Sequence, residues 1–475
     1  MGSAGRQRVL LGVPGLDDLF IEGVPRGSII LVAGYPGAGK TTLASQFAYA
    51  GAASGEPSLY VSFVEPRDDF IDNAASFGMD FRPLEGRGTF KYYEALSVSD
   101  PEALGDVIED VLSQVDSMGA KRVVLDSVTA VEQLARDPPR AREIMHSALY
   151  LGLKRRGATS LLIAELPFGA ESSPIGPEEF IADGVIVLKY RVVKNKLERY
   201  AEIRKMRGTN VEYASLPYAF TTRGVELPPP LRPEALPSGA RYERACRLGR
   251  LTITPGMGTL ILYDPSVDPV QFSAYYLVAP AVALGLRTRY SSYIHGATSL
   301  RDVLATCGDP LQGKLNNLMV ESFEASSMTI GEAELRTYAS DRDFRPDLVV
   351  VEGIHLLREF NTLDDYTGLV YRTLLRRASM GIMTFHLYAS PREGAWDVPL
   401  STYYDNVLYL YVKGDKLVLE PLRVWGELVP SREPVLTGSL EADCRSILMG
   451  GGVASAPGPE GSALSCLPRR PLSSG

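Results

Sequence analysis

The sequence predicts an α/β fold built as two successive units, each a largely parallel sheet covered by helices. Three observations predict it. An apolar run, Ser28-Ile-Ile-Leu-Val-Ala33, meets a glycine-rich loop and then a helix-like stretch, Thr42-Leu-Ala-Ser-Gln-Phe-Ala-Tyr49. Short apolar runs alternate with amphipathic stretches from Arg8 to Leu227, the pattern of repeated strand and helix units. The second half repeats that pattern weakly: Gly258-Thr-Leu-Ile-Leu-Tyr-Asp264 resembles Gly27-Ser-Ile-Ile-Leu-Val-Ala33, and Asp347-Leu-Val-Val-Val-Glu352 resembles Lys121-Arg-Val-Val-Leu-Asp126.

In chain order, the first unit has strand candidates at 29–33, 58–63, 90–93, 122–125, 160–164 and 184–189. Helices are expected over Pro101–Met118 and Pro139–Arg155, each opening on a proline, which suits the first helical turn. Leu227-Pro-Pro-Pro-Leu-Arg-Pro233, followed by Pro237-Ser-Gly239, can continue neither sheet nor helix, so 228–240 reads as a linker. The second unit is expected over 241–430, with strands at 260–263, 348–351, 383–387 and 407–412. Residues 431–475 read as a tail, and from about Gly450 glycine, alanine, serine and proline predict disorder.

A chain of 475 residues with 45% hydrophobic and 22% charged residues can bury two cores. Its formal charge of -8 argues against a general polyanion binder. Cys246, Cys307, Cys444 and Cys466 form no C-x-x-C pair and read as reduced thiols. No leader pattern is seen at the N-terminus and no apolar run is long enough to span a bilayer, so a soluble cytoplasmic protein without membrane insertion is expected. The four histidines are too scattered to propose a metal site.

The chemistry concentrates in Gly34-Tyr-Pro36-Gly37-Ala38-Gly39-Lys40-Thr41, which is G-x-x-x-x-G-K-[ST] between a strand and a helix. Such a loop turns successive N–H groups and a helix N-terminus toward phosphate oxygens. Lys40 is expected to reach the β- and γ-phosphates of ATP and Thr41 to hold Mg²⁺, and the residues from Gly34 to Thr42, with Asp126 and Ser127, are expected to bind the nucleotide. A second magnesium ligand is needed at the end of an apolar strand, and Val123-Val-Leu-Asp126-Ser127 supplies Asp126. In the second half, Asp264-Pro-Ser-Val-Asp-Pro269 has carboxylates and prolines where glycine and lysine would stand, so that half is not expected to bind nucleotide.

Together, Gly12-Val-Pro-Gly-Leu-Asp17, Gly23-Val-Pro-Arg-Gly27, the phosphate loop, Tyr60-Val-Ser-Phe-Val-Glu65, Val124-Leu-Asp126-Ser127, Glu179-Phe-Ile-Ala-Asp183 and Lys205-Met-Arg207-Gly208-Thr209 resemble the KaiC-like branch of RecA-type ATPases. The resemblance covers Arg8 to about Val225 closely and the second half only loosely. It implies a RecA-like P-loop domain that assembles side by side into a ring, often a hexamer, with ATP between neighbours. It also implies that Lys205 and Arg207 reach the γ-phosphate held by the adjacent subunit, and that nucleotide state is coupled to assembly or to docking of an unidentified protein partner.

The family frequently has two adjacent glutamates after the second strand, the first positioning the attacking water. Here the pair is Val64-Glu65, so Glu65 acts as base only if the chain turns before Pro66. Slow hydrolysis, or ATP sensing without hydrolysis, follows from that departure. The basic run from Lys189 to Arg207 also permits a nucleic-acid groove, as in the recombinase branch, but its aromatic interleaving is limited to Tyr190 and Tyr200 and this reading is not favoured.

Overall fold

A computed structural model describes residues 7–20, 23–95, 101–129, 150–167, 169, 182–209, 211, 215–229, 231, 245–431, 433–440, 442–450 and 463–466. The chain divides into two compact units, Met1–Pro230 and Leu231–Gly475.

The main sheet of the first unit contains β1 (Ile29–Gly34), β2 (Ser58–Ser62), β3 (Phe90–Glu94), β4 (Arg122–Asp126), β5 (Thr159–Glu165), β6 (Gly184–Val193), β7 (Lys196–Met206) and β8 (Ser215–Pro217). Their spatial order is β3-β2-β4-β5-β1-β6-β7-β8. The strands from β3 to β6 are parallel and β7 and β8 are antiparallel additions. Strands β1, β2 and β4 are buried throughout, which is why they read as continuous apolar runs rather than alternating ones. The described helices include α1 (Lys40–Ala53), α2 (Arg67–Ala75), α3 (Pro101–Met118) and α4 (Leu151–Arg156). Of the helix expected over Pro139–Arg155, residues 139–149 lie outside the described residues.

The second unit repeats this topology strand for strand. Its sheet comprises β9 (Gly258–Tyr263), β10 (Thr288–Ser292), β11 (Leu318–Ser322), β12 (Leu348–Glu352), β13 (Met383–Ala389), β14 (Asn406–Lys413), β15 (Lys416–Arg423) and β16 (Leu436–Ser439), ordered β11-β10-β12-β13-β9-β14-β15-β16. Every strand of the first sheet has its counterpart eight labels later. The pairing registers refine the repeat seen in sequence. Leu31 pairs with Leu162, which pairs across from Leu125; Leu260 pairs with His386, which pairs across from Val351. Leu260 therefore takes the place of Leu31, two residues from the alignment of Gly258 with Gly27. The apolar run near Ala274 is helical, passing from Pro269–Phe272 through a π-helical Ser273–Val278 to Ala279–Ala283. Helices α5 (Ala297–Ala305), α6 (Ile330–Phe344) and α7 (Leu363–Ser379) follow.

Two expectations are corrected here. Residues beyond 430 are not simply a tail. Strand β16 pairs with β15, α8 (Cys444–Gly450) follows it, and Ser465–Cys466 pairs with Cys246–Leu248 in a small sheet. Leu436, Cys444, Ile447 and Leu464 are buried in the unit's core, so the apolar positions in this polar-looking stretch have partners that composition does not reveal. The cysteines are not free thiols either: Cys246 is bonded to Cys466 and Cys307 to Cys444, across 220 and 137 residues. Wide spacing hid the pairing, because strand order brings together residues that are far apart in the chain. Residues 451–462 and 467–475 lie outside the described residues. Among the described residues no helix is long and apolar enough to cross a membrane.

Candidate nucleotide site

Strand β1 is flanked by β5 and β6 and ends at Gly34, so the loop that follows emerges at the carboxyl edge of the parallel strands. Ligands of open α/β sheets bind at that edge. The loop closes with the Ala38 N–H donating to Tyr35 O at 3.1 Å, and α1 begins at Lys40. Gly37 and Gly39 have φ of +71° and +92°, in the left-handed region where a side chain is strained. A Cβ on Gly37 would face open space, whereas one on Gly39 would lie 2.6 Å from the Phe220 ring. Pro36 and Gly37 are exposed, Ala38 is buried, and Thr41 and Thr42 are half-buried.

Three strand ends converge on this loop. The Thr41 hydroxyl donates to Asp126 Oδ2 at 2.8 Å, and the Tyr60 hydroxyl donates to the same oxygen at 2.8 Å. Burial raises the Asp126 pKa, while the hydrogen bonds from Tyr60 and Thr41 and the charge of Lys40 oppose the rise. Ser127 is buried beside it. Lys40 is 5% exposed, and its ammonium donates to Tyr35 O at 3.0 Å and to Glu165 Oε2 at 2.9 Å.

Glu65 reaches the same region because the chain does turn after β2. The Ser62 hydroxyl accepts from the N–H groups of Val64, at 3.3 Å, and Glu65, at 2.9 Å, closing a local turn. Val64 is left pointing outward, 62% exposed, while the Glu65 carboxylate is half-buried and accepts from Asn73 Nδ2 at 2.7 Å. Burial raises its pKa, and the charges of Asp126 and Asp69 add to the rise.

A family model described as "ATPase: KaiC" matches residues 9–232. The UPF0273 protein of Pyrococcus horikoshii is 32% identical over 240 residues, which is 47% of this chain and 94% of that protein. The chain belongs to the KaiC-like, RecA-type P-loop ATPases. The UPF0273 protein of Aeropyrum pernix is 34% identical over 236 residues, 94% of its length. The circadian clock oscillator protein KaiC of Picosynechococcus is 35% identical over 234 residues, 47% of this chain and 45% of that protein. The family-model match falls almost wholly on the first unit, where the KaiC-like motifs stand.

Within this KaiC-like unit, sequence reasoning missed Glu165. It is an acid ending the apolar strand Thr159–Glu165, the local signal that singled out Asp126, but its place opposite Gly34 is set by strand order. Lys205 and Arg207 are not gathered at the loop. Lys205 pairs with Val185, which lies beside Leu31, and the Arg207 N–H donates to Asp183 O at 2.7 Å. Lys205 is level with Leu31, three strand residues or roughly 10 Å back from Gly34, and Arg207, tied to Asp183 level with Ile29, is about five residues or roughly 17 Å back, at the amino edge of the sheet. Along the basic hairpin of β6 and β7, Lys189 meets Glu202 at 2.9 Å, Arg191 meets Glu198 at 2.7 Å and Arg204 meets Glu202 at 3.3 Å. Much of the hairpin's charge is thus matched within the chain.

The counterpart positions in the second unit are filled differently. Asp264 follows the strand counterpart of β1, and Asp268 caps the next helix, accepting from the N–H groups of Val270 at 2.9 Å and Gln271 at 3.1 Å. Its carboxylate occupies donors of the kind that would otherwise face phosphate. Glu352 stands at the position of Asp126 but is fully buried, accepting from Tyr290 OH at 2.6 Å and Ser292 Oγ at 2.6 Å, with His295 Nδ1 at 2.7 Å. His295 occupies the place of Glu65. Among the described residues no cluster of His, Cys, Asp and Glu suited to a metal is present.

Proposed function

We propose that the first unit binds Mg-ATP in the loop from Gly34 to Thr42 and hydrolyses it slowly, and that nucleotide occupancy controls assembly of the chain into a ring or docking of a protein partner. The carrying observation is the 2.8 Å contact of Thr41 with Asp126 beside the buried Lys40. A hydroxyl and a carboxylate already adjacent, with a lysine next to them, fit a magnesium-bound phosphate chain. Bound Mg²⁺ would neutralise charge on the phosphates. Thr41 and Asp126 would hold it, Lys40 would exchange Glu165 for a phosphate oxygen, and loop N–H groups would receive the others. Glu65 would orient a water and accept its proton. Lys205 and Arg207 are too far from their own loop to serve it, so their role in this reading is at the site of a neighbouring copy.

A second reading, an ATP sensor without turnover, is favoured by the outward-facing Val64 where the family often has its first glutamate. The deciding experiment measures Mg-ATP binding and single-turnover hydrolysis of the full chain beside Lys40→Ala and Glu65→Gln, with assembly followed by light scattering. Loss of binding in Lys40→Ala and loss of turnover alone in Glu65→Gln support the slow ATPase. Binding and assembly without turnover support the sensor, and no binding to the unaltered chain refutes both. Single-stranded DNA that binds in a salt-dependent way and stimulates turnover would favour the recombinase-like alternative instead.

A further inference from the structure

We infer that the second unit holds one small monovalent anion, of chloride size, in a cavity between its sheet and helices α6 and α7. The cavity is lined by the polar Arg289, Ser291, Thr337, Thr373, Arg377 and His386, with Tyr293 and aliphatic side chains around them, and its volume is about 20 Å³. That is room for a single small occupant and too little for phosphate or nucleotide.

The lining differs from its counterpart in the first unit. The registers set Arg289 in the place of Leu59, Ser291 in that of Val61, Val351 in that of Leu125 and His386 in that of Leu162. One sheet face beneath the helices is apolar in the first unit and polar in the second. Buried polar groups are costly unless they find partners, yet three here find none within the protein: Arg377 Nη1, His386 Nε2 and Ser291 Oγ. All three residues are at most 2% exposed.

Their chemistry selects an acceptor. A guanidinium nitrogen can only donate. The Tyr404 hydroxyl lies 2.6 Å from His386 Nδ1, and with the phenol donating, the imidazole proton sits on Nε2. The Ser291 hydroxyl is free to turn its hydrogen the same way. The charges around the cavity balance, two guanidinium groups against two carboxylates, so the open donors and not a net charge select the occupant. Asp341 is the carboxylate shared by both guanidinium groups, at 2.5 Å from Arg289 and 2.7 Å from Arg377, while Glu321, which also meets Arg289, lies nearer the surface. Burial, with the nearby Arg377 charge, holds His386 neutral, so it contributes an N–H and no charge. A water can accept from Arg377 and His386 and donate to a lining hydroxyl of Ser291, Thr337 or Thr373, whereas an anion accepts from all three unpartnered groups at once, and the bromide soak below tells the two apart.

Two measurements on the full chain test this. Crystals soaked in sodium bromide should show an anomalous scattering peak between Arg377, Ser291 and His386; a water refined there without anomalous signal would overturn the inference. In calorimetry at constant ionic strength, replacing gluconate by chloride should raise one unfolding transition by about 3–5 °C per tenfold rise in chloride above its dissociation constant. Equal transitions in the two salts would count against the site. The Ser291→Val/His386→Leu double variant restores the first unit's apolar residues and should lose the chloride shift; a retained shift refutes the assignment. Should that variant not fold, the bromide experiment on the unaltered chain still decides. Lys40→Ala should leave the chloride effect intact, which separates it from the nucleotide reading.

Discussion

If Lys40 meets the phosphates as proposed, Glu165 competes for it, and Glu165→Gln should strengthen Mg-ATP binding. The Lys40 ammonium is 2.9 Å from Glu165 Oε2 and 3.0 Å from Tyr35 O, and Lys40 is 5% exposed. A phosphate oxygen must displace the carboxylate, and the displaced charge then sits beside another anion. The Glu165 side chain is 42% exposed, so solvent screens the pair and places it near the upper end of the range for exposed ion pairs, about 1 kcal/mol. Glutamine keeps the shape and a weaker acceptor but removes the charge. The free state loses that amount and the bound state loses a repulsion, so affinity should rise about fivefold or somewhat more. Titration calorimetry with a slowly hydrolysed ATP analogue measures it, with Glu165→Asp as a control that keeps the charge. Weaker binding in Glu165→Gln would refute the competition argument and make Glu165 a contributor to the bound state.

Three further outcomes follow from the same geometry. If Glu65 is the base, turnover should fall as pH drops through a value above the ordinary glutamate pKa, because burial and nearby carboxylates favour its protonated form and only the ionised form accepts a proton; Glu65→Gln should abolish that limb and cost about 10² to 10⁴ in single-turnover rate. Gly37→Ala adds a Cβ in open space at φ +71° and should weaken ATP binding by roughly 1–2 kcal/mol of backbone strain. Gly39→Ala should weaken it at least tenfold more, since its Cβ would lie 2.6 Å from the Phe220 ring, and nucleotide titration compares the two. Reducing Cys246–Cys466 and Cys307–Cys444 should lower the unfolding transition of the second unit by roughly 2–4 kcal/mol for each bond, read by calorimetry with and without reductant. Four thiols titrating in the denatured, unreduced protein would overturn the pairing.

The phosphate loop, Asp126 and the parallel strands were legible because each is a local signal: a glycine pattern, an acid ending an apolar run, a buried strand with no polar face. Glu165 was not, because its importance depends on β5 lying beside β1, which only strand order establishes. Glu65 lay between these cases. Its chemistry was visible, but its direction depended on the Ser62 hydroxyl closing a turn that leaves Val64 outside. The C-terminal segment was misread for a related reason. Gly438 and Cys444 look like loop residues in isolation and are placed by a sheet edge and a disulfide formed with residues far earlier in the chain.

The two units separate what the fold supplies from what the site requires. Both have the same strand order, both end the counterpart strands in a carboxylate, and both place a tyrosine beneath it, Tyr60 under Asp126 and Tyr290 under Glu352. They differ in who satisfies the polar groups. In the first unit the loop has no carboxylate capping the start of α1, and Asp126 faces Thr41 and, through it, the phosphate side. In the second, Asp268 caps the helix start, and Ser292 and His295 join Tyr290 around Glu352. Installing a glycine-rich loop alone would therefore leave Glu352 fully engaged. In the second unit the groups at both counterpart positions are thus satisfied internally, with the same strand order retained.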